Sequence, residues 1–199
     1  MNKLLLPLSL LLLSSCQYIS YNQVIPLIRE ATIGLPDIEL SEEFIAKQRF
    51  SFARIDLGKG ANIIMVLQKV DGNFYTWISS TGERITTYSG KIVKTEGLIH
   101  NIETFNPDLF SLLAYGTNEG TFNVMLLDPQ AFVEKDFTST LKEADNDLLV
   151  LQEEITIQSL NSSYINRYWV EKKRGMVIRS QQNIHPMLPR LTIDFIYKY

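Results

Sequence analysis

The sequence is poor in the side chains that build disulfides and metal sites. Its 199 residues contain one cysteine and two histidines, His100 and His185. A lone thiol cannot form a disulfide within the chain, so the fold must depend on apolar packing. The two histidines lie far apart in sequence and there is no second thiol, so we expect no metal and no other cofactor. The formal net charge is −3. Nucleic-acid-binding proteins carry an excess of basic residues, so we expect no nucleic-acid partner.

The motifs of common enzyme classes are also missing. No G-x-S-x-G, Walker-type loop or dinucleotide fingerprint occurs, and the glycines lie where hairpin turns need them. Asp145-Asn146-Asp147 lacks the glycine that a calcium loop requires and is better interpreted as a turn. We therefore predict that the protein is not an enzyme. A carboxylate pair for glycoside cleavage stays open, because only geometry brings such residues together.

The sequence contains one long apolar run, which lies near the start of the chain. Lys3 precedes an apolar stretch from Leu4 to Leu13. Its length suits the core of a signal peptide better than a membrane span, which needs about 18 to 20 apolar residues. The small residues Ser14 and Ser15 then lead to Cys16, the only cysteine. This order predicts an export signal that ends just before the thiol.

The segment from Leu13 to Cys16 resembles the lipobox of bacterial lipoproteins. The resemblance implies that Leu13, Ser14 and Ser15 form the signal-peptidase recognition site and that Cys16 is lipidated, for example with palmitate. Stable anchoring needs about two acyl chains, and a modified cysteine can supply them. Gln17 is not the aspartate that retains many such proteins at the inner membrane. The expected location is therefore the periplasmic face of the outer membrane of a Gram-negative bacterium.

The remaining chain is predicted to form one domain. We expect a signal peptide at residues 1–15, a lipidated tether at 16–22 and a single domain at 23–199. From residue 50 onwards, short β-branched and aromatic runs alternate with turn residues, which is typical of an antiparallel meander. The predicted strands are 50–57, 62–70, 74–79, 83–88, 91–95, 121–127, 132–140, 148–158, 164–170, 176–182 and 191–198.

Helical spacing is limited to short segments. A short N-terminal helix is expected around Val24 to Ala31, and a second helical segment near 107–115. Ser41 with Glu42 and Glu43 fits either the start of another turn or a loop.

Two blocks of sequence resemble a known family. They are Trp77-Ile78-Ser79 with Gly90–Thr95 and Leu98, and Tyr168-Trp169-Val170 with Gly175, Val177, Ser180 and Gln181. Their order and spacing resemble the YjbF/GfcB family of group 4 capsule polysaccharide lipoproteins. The resemblance implies a mainly β fold with a large curved antiparallel sheet, partly closed like a barrel or a sandwich. It also implies an outer-membrane lipoprotein encoded among functions for capsule or exopolysaccharide production and export.

The leading functional hypothesis is a non-catalytic lipoprotein that assists polysaccharide assembly or export. Its expected partners are the membrane, through the anchor, and polysaccharide or its export proteins. Aromatic faces stack on sugar rings, so Trp77, Tyr168 and Trp169 are candidate glycan contacts, although large aromatic residues in strands usually pack in the core. The basic hairpin Lys172–Arg174 could attract an acidic polymer, but a solvated tip explains it more simply. The alternatives are a lipid- or glycan-binding periplasmic carrier and a periplasmic glycan hydrolase.

Overall fold

The architecture is a closed antiparallel barrel. The structure, a computed structural model, describes residues 39–58, 62–105, 117–143 and 147–198. In these residues, each of twelve strands pairs with its neighbours in sequence, and β1 also pairs with β12 to close the sheet. The strands are β1 Phe52–Asp56, β2 Ile63–Asp71, β3 Phe74–Ser79, β4 Arg84–Tyr88, β5 Lys91–Glu96, β6 Asn101–Phe105, β7 Thr117–Leu127, β8 Ala131–Glu143, β9 Leu148–Ile157, β10 Ser162–Glu171, β11 Met176–Gln182 and β12 Leu191–Ile196.

The short helical elements lie outside the sheet. The helix α1, Glu42–Lys47, begins at Ser41, whose Oγ accepts a hydrogen bond from the Phe44 amide at 3.1 Å. Its first turn is acidic and its last turn is basic, and charges placed in this way stabilise a helix by compensating its dipole. A single turn of 3₁₀ helix, Gln158–Leu160, links β9 to β10. Of the two alternatives left open at Ser41, the helical turn is the one observed.

Alternation along the strands places the core inside the barrel. In β12, Leu191, Ile193 and Phe195 are buried, whereas Thr192 and Asp194 between them are more exposed. The same alternation in the other strands produces one cluster of buried apolar side chains. The predicted mainly β meander is confirmed, and the structure closes it fully.

One strand was not predicted. The segment Asn101–Phe105 forms β6 and pairs with β7 over five residue positions. Its sequence contains two apolar residues at a spacing that does not alternate, so the local pattern is weak. The helices expected around Val24–Ala31 and near 107–115 lie outside the described residues, as does the segment 1–38 that contains Cys16.

The turn between β4 and β5 reaches across the barrel to β11. Gly90 in this turn has φ +85°, and a Cβ at this position would lie 2.5 Å from the Cβ of Val177. Gln182, the last residue of β11, links β11 to the start of β5. Its Nε2 donates to the Gly90 carbonyl at 2.9 Å, and its Oε1 accepts from the Ile92 amide at 2.9 Å. These contacts hold Lys91, which lies between Gly90 and Ile92, inside the barrel.

A buried polar cluster as candidate functional site

A buried ion pair lies inside the barrel. Lys91 at the start of β5 is 4% exposed, and Glu153 on β9 is 2% exposed. The Lys91 ammonium donates a hydrogen bond to Glu153 Oε1. Glu153 occupies an inward-facing position of β9, between the buried residues Leu151 and Ile155, and the Lys91 side chain that meets it is 5% exposed. The barrel therefore contains a charged centre where apolar side chains would be expected.

Neutral side chains satisfy the second oxygen of the same carboxylate. Glu153 Oε2 accepts from Asn166 Nδ2 at 3.2 Å and from the Tyr168 hydroxyl at 3.1 Å. The Tyr168 hydroxyl also lies 3.4 Å from Gln182 Oε1. Burial and the adjacent Glu153 carboxylate raise the pKa of Tyr168 well above its usual range, so this phenol stays protonated and donates. Glu153 is thus held by three donors from three different side chains.

A second lysine is buried nearby. Lys135 on β8 is 3% exposed, and its Nζ donates to the Tyr164 hydroxyl at 2.9 Å and to the Ile184 carbonyl at 3.2 Å. Both acceptors are neutral. Burial, reinforced by the positive charge of Lys91, lowers the pKa of Lys135 to about 7. We call these residues the interior cluster: Lys91, Lys135, Glu153, Tyr164, Asn166, Tyr168 and Gln182.

Aromatic faces contribute to the environment of Lys91. Its Nζ lies 4.3 Å from the centroid of the Phe122 ring and 5.5 Å from that of Phe137. A cation over an aromatic face is stabilised by the ring quadrupole, most strongly where water is excluded. Burial nevertheless lowers the pKa of Lys91, with Glu153 opposing that shift. The site therefore combines one ion pair, two aromatic faces and an additional amine.

A small cavity adjoins the interior cluster. It measures about 20 Å³ and is lined by polar groups of the cluster, by Asn183 and by apolar side chains of β6, β7 and β9. The Nδ2 of Asn183 is buried and has no hydrogen-bond partner. A volume of this size holds about one water molecule. It is far too small for a sugar ring or an acyl chain, so this cavity does not favour the carrier alternative.

The two histidines meet at one end of the barrel. Their rings stack with centroids 4.9 Å apart at an interplanar angle of 9°. The Nδ1 of His100 contacts the carbonyl of Asp128, and the Nδ1 of His185 accepts from the Met187 amide at 3.1 Å. Burial, with His100 and Lys135 nearby, lowers the pKa of His185. In the part of the chain that the structure describes, no group of three His, Cys, Asp or Glu residues is placed to hold a metal ion.

The outer wall of the barrel carries a row of charged and aromatic side chains. The row consists of Trp169, Arg179, Asp194 and Arg54, which are cross-strand neighbours on β10, β11, β12 and β1. The Arg179 guanidinium lies 5.9 Å from the Trp169 ring centroid and 3.5 Å from Asp194. Arg54 donates to Asp194 Oδ2 from Nη2 at 2.7 Å and from Nε at 3.2 Å. We call these four residues the outer row.

Comparison with known proteins identifies the family of this chain. Residues 27–196 match the family model described as group 4 capsule polysaccharide lipoprotein gfcB, YjbF. The chain belongs to this family. The uncharacterized lipoprotein GfcB of Escherichia coli (strain K12) is 24% identical over an alignment of 197 residues, and the match covers 92% of this chain and 92% of that protein. The crystal structure of the hypothetical lipoprotein YmcC from Escherichia coli (K12) has a TM-score of 0.69 at 19% identity, covering 90% of this chain and 97% of that one, and shows the same fold.

The residues predicted for the YjbF family anchor lie outside the described part of the chain. These are Leu13, Ser14, Ser15 and Cys16. Among the residues that are described, no helix is both long and apolar enough to span a bilayer. The lipid anchor therefore stays a prediction from the sequence, and both relatives are themselves named lipoproteins.

Two of the three predicted glycan contacts have no face open to a glycan. Trp77 and Tyr168 are each 0% exposed. Trp77 donates from Nε1 to the Thr87 hydroxyl at 3.1 Å and packs 5.4 Å from the Phe195 ring, measured between centroids. Tyr168 belongs to the interior cluster. The expected glycan contact is therefore corrected for Trp77 and Tyr168, because both occupy inward-facing strand positions. Trp169, the next residue after Tyr168, faces outward and is half-buried.

The basic hairpin between β10 and β11 has the features of a solvated tip. Lys173 and Arg174 are exposed, and the Nε of Arg174 donates to the Glu171 carboxylate. The backbone amide of Lys172 donates to the Asp147 carbonyl at 2.9 Å, which ties the hairpin to the turn before β9. Glu171 offsets part of the positive charge. Nothing in this geometry distinguishes the tip as a binding site in a YjbF-family barrel.

The hydrolase alternative requires two facing carboxylates. Among the described residues, Glu153 is the one carboxylate that is fully buried. Its oxygens face Lys91, Asn166 and Tyr168 rather than a second acid. The paired arrangement of a glycosidase is therefore not found at the interior cluster.

The sequence contains a signal for the interior cluster in the alternation of β8 and β9. In β8, Lys135 lies two residues from Val133 and from Phe137, all on one face of the strand. In β9, Glu153 lies between Leu151 and Ile155 in the same way. A charged residue within an alternating apolar series predicts a buried charge. Which charges meet could be read only from the strand pairing.

Proposed function

We propose that this YjbF-family protein is a non-catalytic, lipid-anchored factor that assists the assembly or export of capsule or exopolysaccharide. The observation that carries the proposal is the match of residues 27–196 to a family of capsule polysaccharide lipoproteins, which includes every strand of the barrel. The interior cluster favours a structural role over a catalytic one, because its charged groups pair with one another or with neutral polar groups. The protein acts by presenting an outer wall to its partners.

The proposed location is the periplasmic face of the outer membrane. Cys16 carries the lipid, and residues 16–22 are the tether between the lipid and the folded domain. Acyl chains contribute about 0.8 kcal/mol for each buried methylene group, so two chains suffice for stable anchoring. Residue 17 is glutamine rather than the aspartate that retains many lipoproteins at the inner membrane, which supports this location.

Replacing Cys16 with serine is expected to abolish lipidation. A serine hydroxyl is too weakly ionised to accept the acyl-carrying group, so the precursor keeps its signal peptide and is mislocalised. Mass spectrometry of the N-terminal peptide and fractionation of membranes measure both effects. Ser15→Ala is the matched control, because it keeps a small residue at the recognition site and should be processed normally. Normal processing of Cys16→Ser would contradict the anchor.

The outer row is the proposed glycan contact of this barrel. Trp169 offers part of an aromatic face, and Arg179 is 46% exposed beside it, so the pair combines stacking with a donor for acidic sugars. We expect Trp169→Ala to weaken binding of the host polysaccharide about fivefold, within the range of aromatic contacts. Titration calorimetry with the purified polymer measures the change.

The control for this experiment is an exposed aromatic residue elsewhere on the wall. Phe132 on β8 is 60% exposed and lies outside the outer row. Phe132→Ala should leave the affinity unchanged. An equal loss in both variants, or no loss in Trp169→Ala, would remove the outer row as the contact while leaving the role in export untouched.

Capture of the native complex tests the proposed function itself. The lipidated protein is isolated from native membranes in mild detergent, and the bound sugars are identified after acid hydrolysis. We expect polysaccharide sugars or export components to copurify above the level obtained with an unrelated lipoprotein of similar size. Recovery of neither would contradict the proposal.

A further inference from the structure

The interior of the barrel contains more positive than negative charge. Lys91 and Lys135 are both at least 95% buried, and Glu153 is the one buried carboxylate beside them in the described residues. Lys91 uses that carboxylate. Lys135 donates to two neutral oxygens, those of Tyr164 and Ile184. A buried ammonium without a counter-charge is strongly disfavoured, so the site favours either a neutral amine or an added anion.

Hydrogen-bond donors remain available at the same place. An ammonium has three donors, and the two contacts of Lys135 leave one for a further acceptor. The Nδ2 of Asn183 is buried without any partner, which costs about 1–3 kcal/mol for an ordinary donor. Both residues line the 20 Å³ cavity. The cavity is thus lined by an ammonium with one remaining donor and by an amide donor that has no partner.

The size of the cavity limits the ligand. About 20 Å³ accommodates one water-sized group. A phosphate, a sulfate or a sugar carboxylate carries several heavy atoms and does not fit without rearranging the wall. A water molecule fits and satisfies the donors, but it leaves the excess charge uncompensated. A monatomic anion satisfies both the donors and the charge.

We propose that this cavity binds a monatomic anion of the size of chloride or bromide, held by Lys135 and the Asn183 amide, with Lys91 adding a favourable field. The site is separate from the outer row and does not depend on the proposed role in export. The bound halide keeps Lys135 protonated and fixes the barrel wall around β8. It acts as a structural ion rather than as a substrate.

Bromide provides a direct probe of this site. Crystals of the mature protein grown with sodium bromide are measured at the bromine absorption edge. We expect an anomalous peak in the cavity, within hydrogen-bond distance of Lys135 Nζ and Asn183 Nδ2. A cavity without a peak, with bromide only on the outer surface, would overturn the proposal.

Thermal unfolding gives a solution measurement on the same full chain. At constant ionic strength, exchanging gluconate for chloride or bromide should raise Tm by about 2–5 °C, because a ligand that binds only the folded state stabilises it. Lys135→Met should remove this halide dependence, whereas Lys94→Met, which changes an exposed lysine on β5, should retain it. If Lys135→Met does not fold, the wild-type titration and crystal still decide. An equal Tm in all three salts for the wild type would show that Lys135 is a neutral packed amine and would refute the site.

Discussion

Replacing Glu153 with alanine is expected to lower the free energy of unfolding by about 3–5 kcal/mol, the usual cost of breaking a buried ion pair. The change leaves the Lys91 ammonium without its counter-charge, and Lys91 is 4% exposed. It also removes the acceptor of Asn166 Nδ2 and the shorter of the two acceptor contacts of the Tyr168 hydroxyl, which keeps only the 3.4 Å contact to Gln182 Oε1. Denaturant unfolding of the purified mature protein, followed by tryptophan fluorescence, measures the change.

An exposed pair on the same barrel provides the control. Lys94 and Glu103 lie 3.2 Å apart, with side chains 41% and 47% exposed. Glu103→Ala should therefore change the free energy of unfolding by less than about 1 kcal/mol. The double variant Lys91→Met with Glu153→Leu should regain most of the lost stability, since it removes both charges together. Equal effects of Glu153→Ala and Glu103→Ala would show that the interior ion pair has been misplaced.

Trp77→Ala is expected to produce a loss of similar size, about 3–5 kcal/mol, by opening a large cavity in the core. Trp77 is 0% exposed and packs against Phe195 and Tyr197 from the closing strand and the residue after it. The residue therefore links β3 to the strand that closes the barrel. The same unfolding experiment measures the loss.

Trp77→Phe separates packing from a role in glycan binding. It keeps an aromatic ring but removes the indole Nε1 donor to Thr87, so we expect a loss smaller than that of Trp77→Ala. Folded Trp77→Phe protein should bind polysaccharide as the wild type does. Full stability with lost polysaccharide binding would instead restore Trp77 as a glycan contact.

Local sequence pattern accounts for most of the strands. The predicted strands 74–79 and 176–182 have the bounds that the structure shows, because turn residues define both of their ends. Between β2 and β3, the pair Asp71-Gly72 is typical of a hairpin turn, and Gly72 has φ +59°. β6 was missed because its pairing with β7 supplies what its own sequence lacks. Full closure of the barrel could not be predicted from local pattern either. It depends on the pairing of β1 with β12, the first and last strands in the sequence.

The candidate site is less predictable than the fold, because the pairing of the strands decides which face of each strand lies inside the barrel. Trp77 and Trp169 look alike in sequence, yet Trp77 faces the core and Trp169 faces outward. His100 and His185 lie far apart in sequence, so the local pattern does not indicate that they meet. They stack because the loop between β5 and β6 and the loop between β11 and β12 open at the same end of the barrel.

We propose that this YjbF-family protein assists polysaccharide assembly or export without catalysing a reaction. The most direct test is to delete it in its own host and to measure the amount and chain length of surface and secreted polysaccharide. The account predicts a clear reduction or altered chain length, restored by the wild-type protein and not by the Cys16→Ser variant. Polysaccharide unchanged in both amount and chain length after deletion would contradict it.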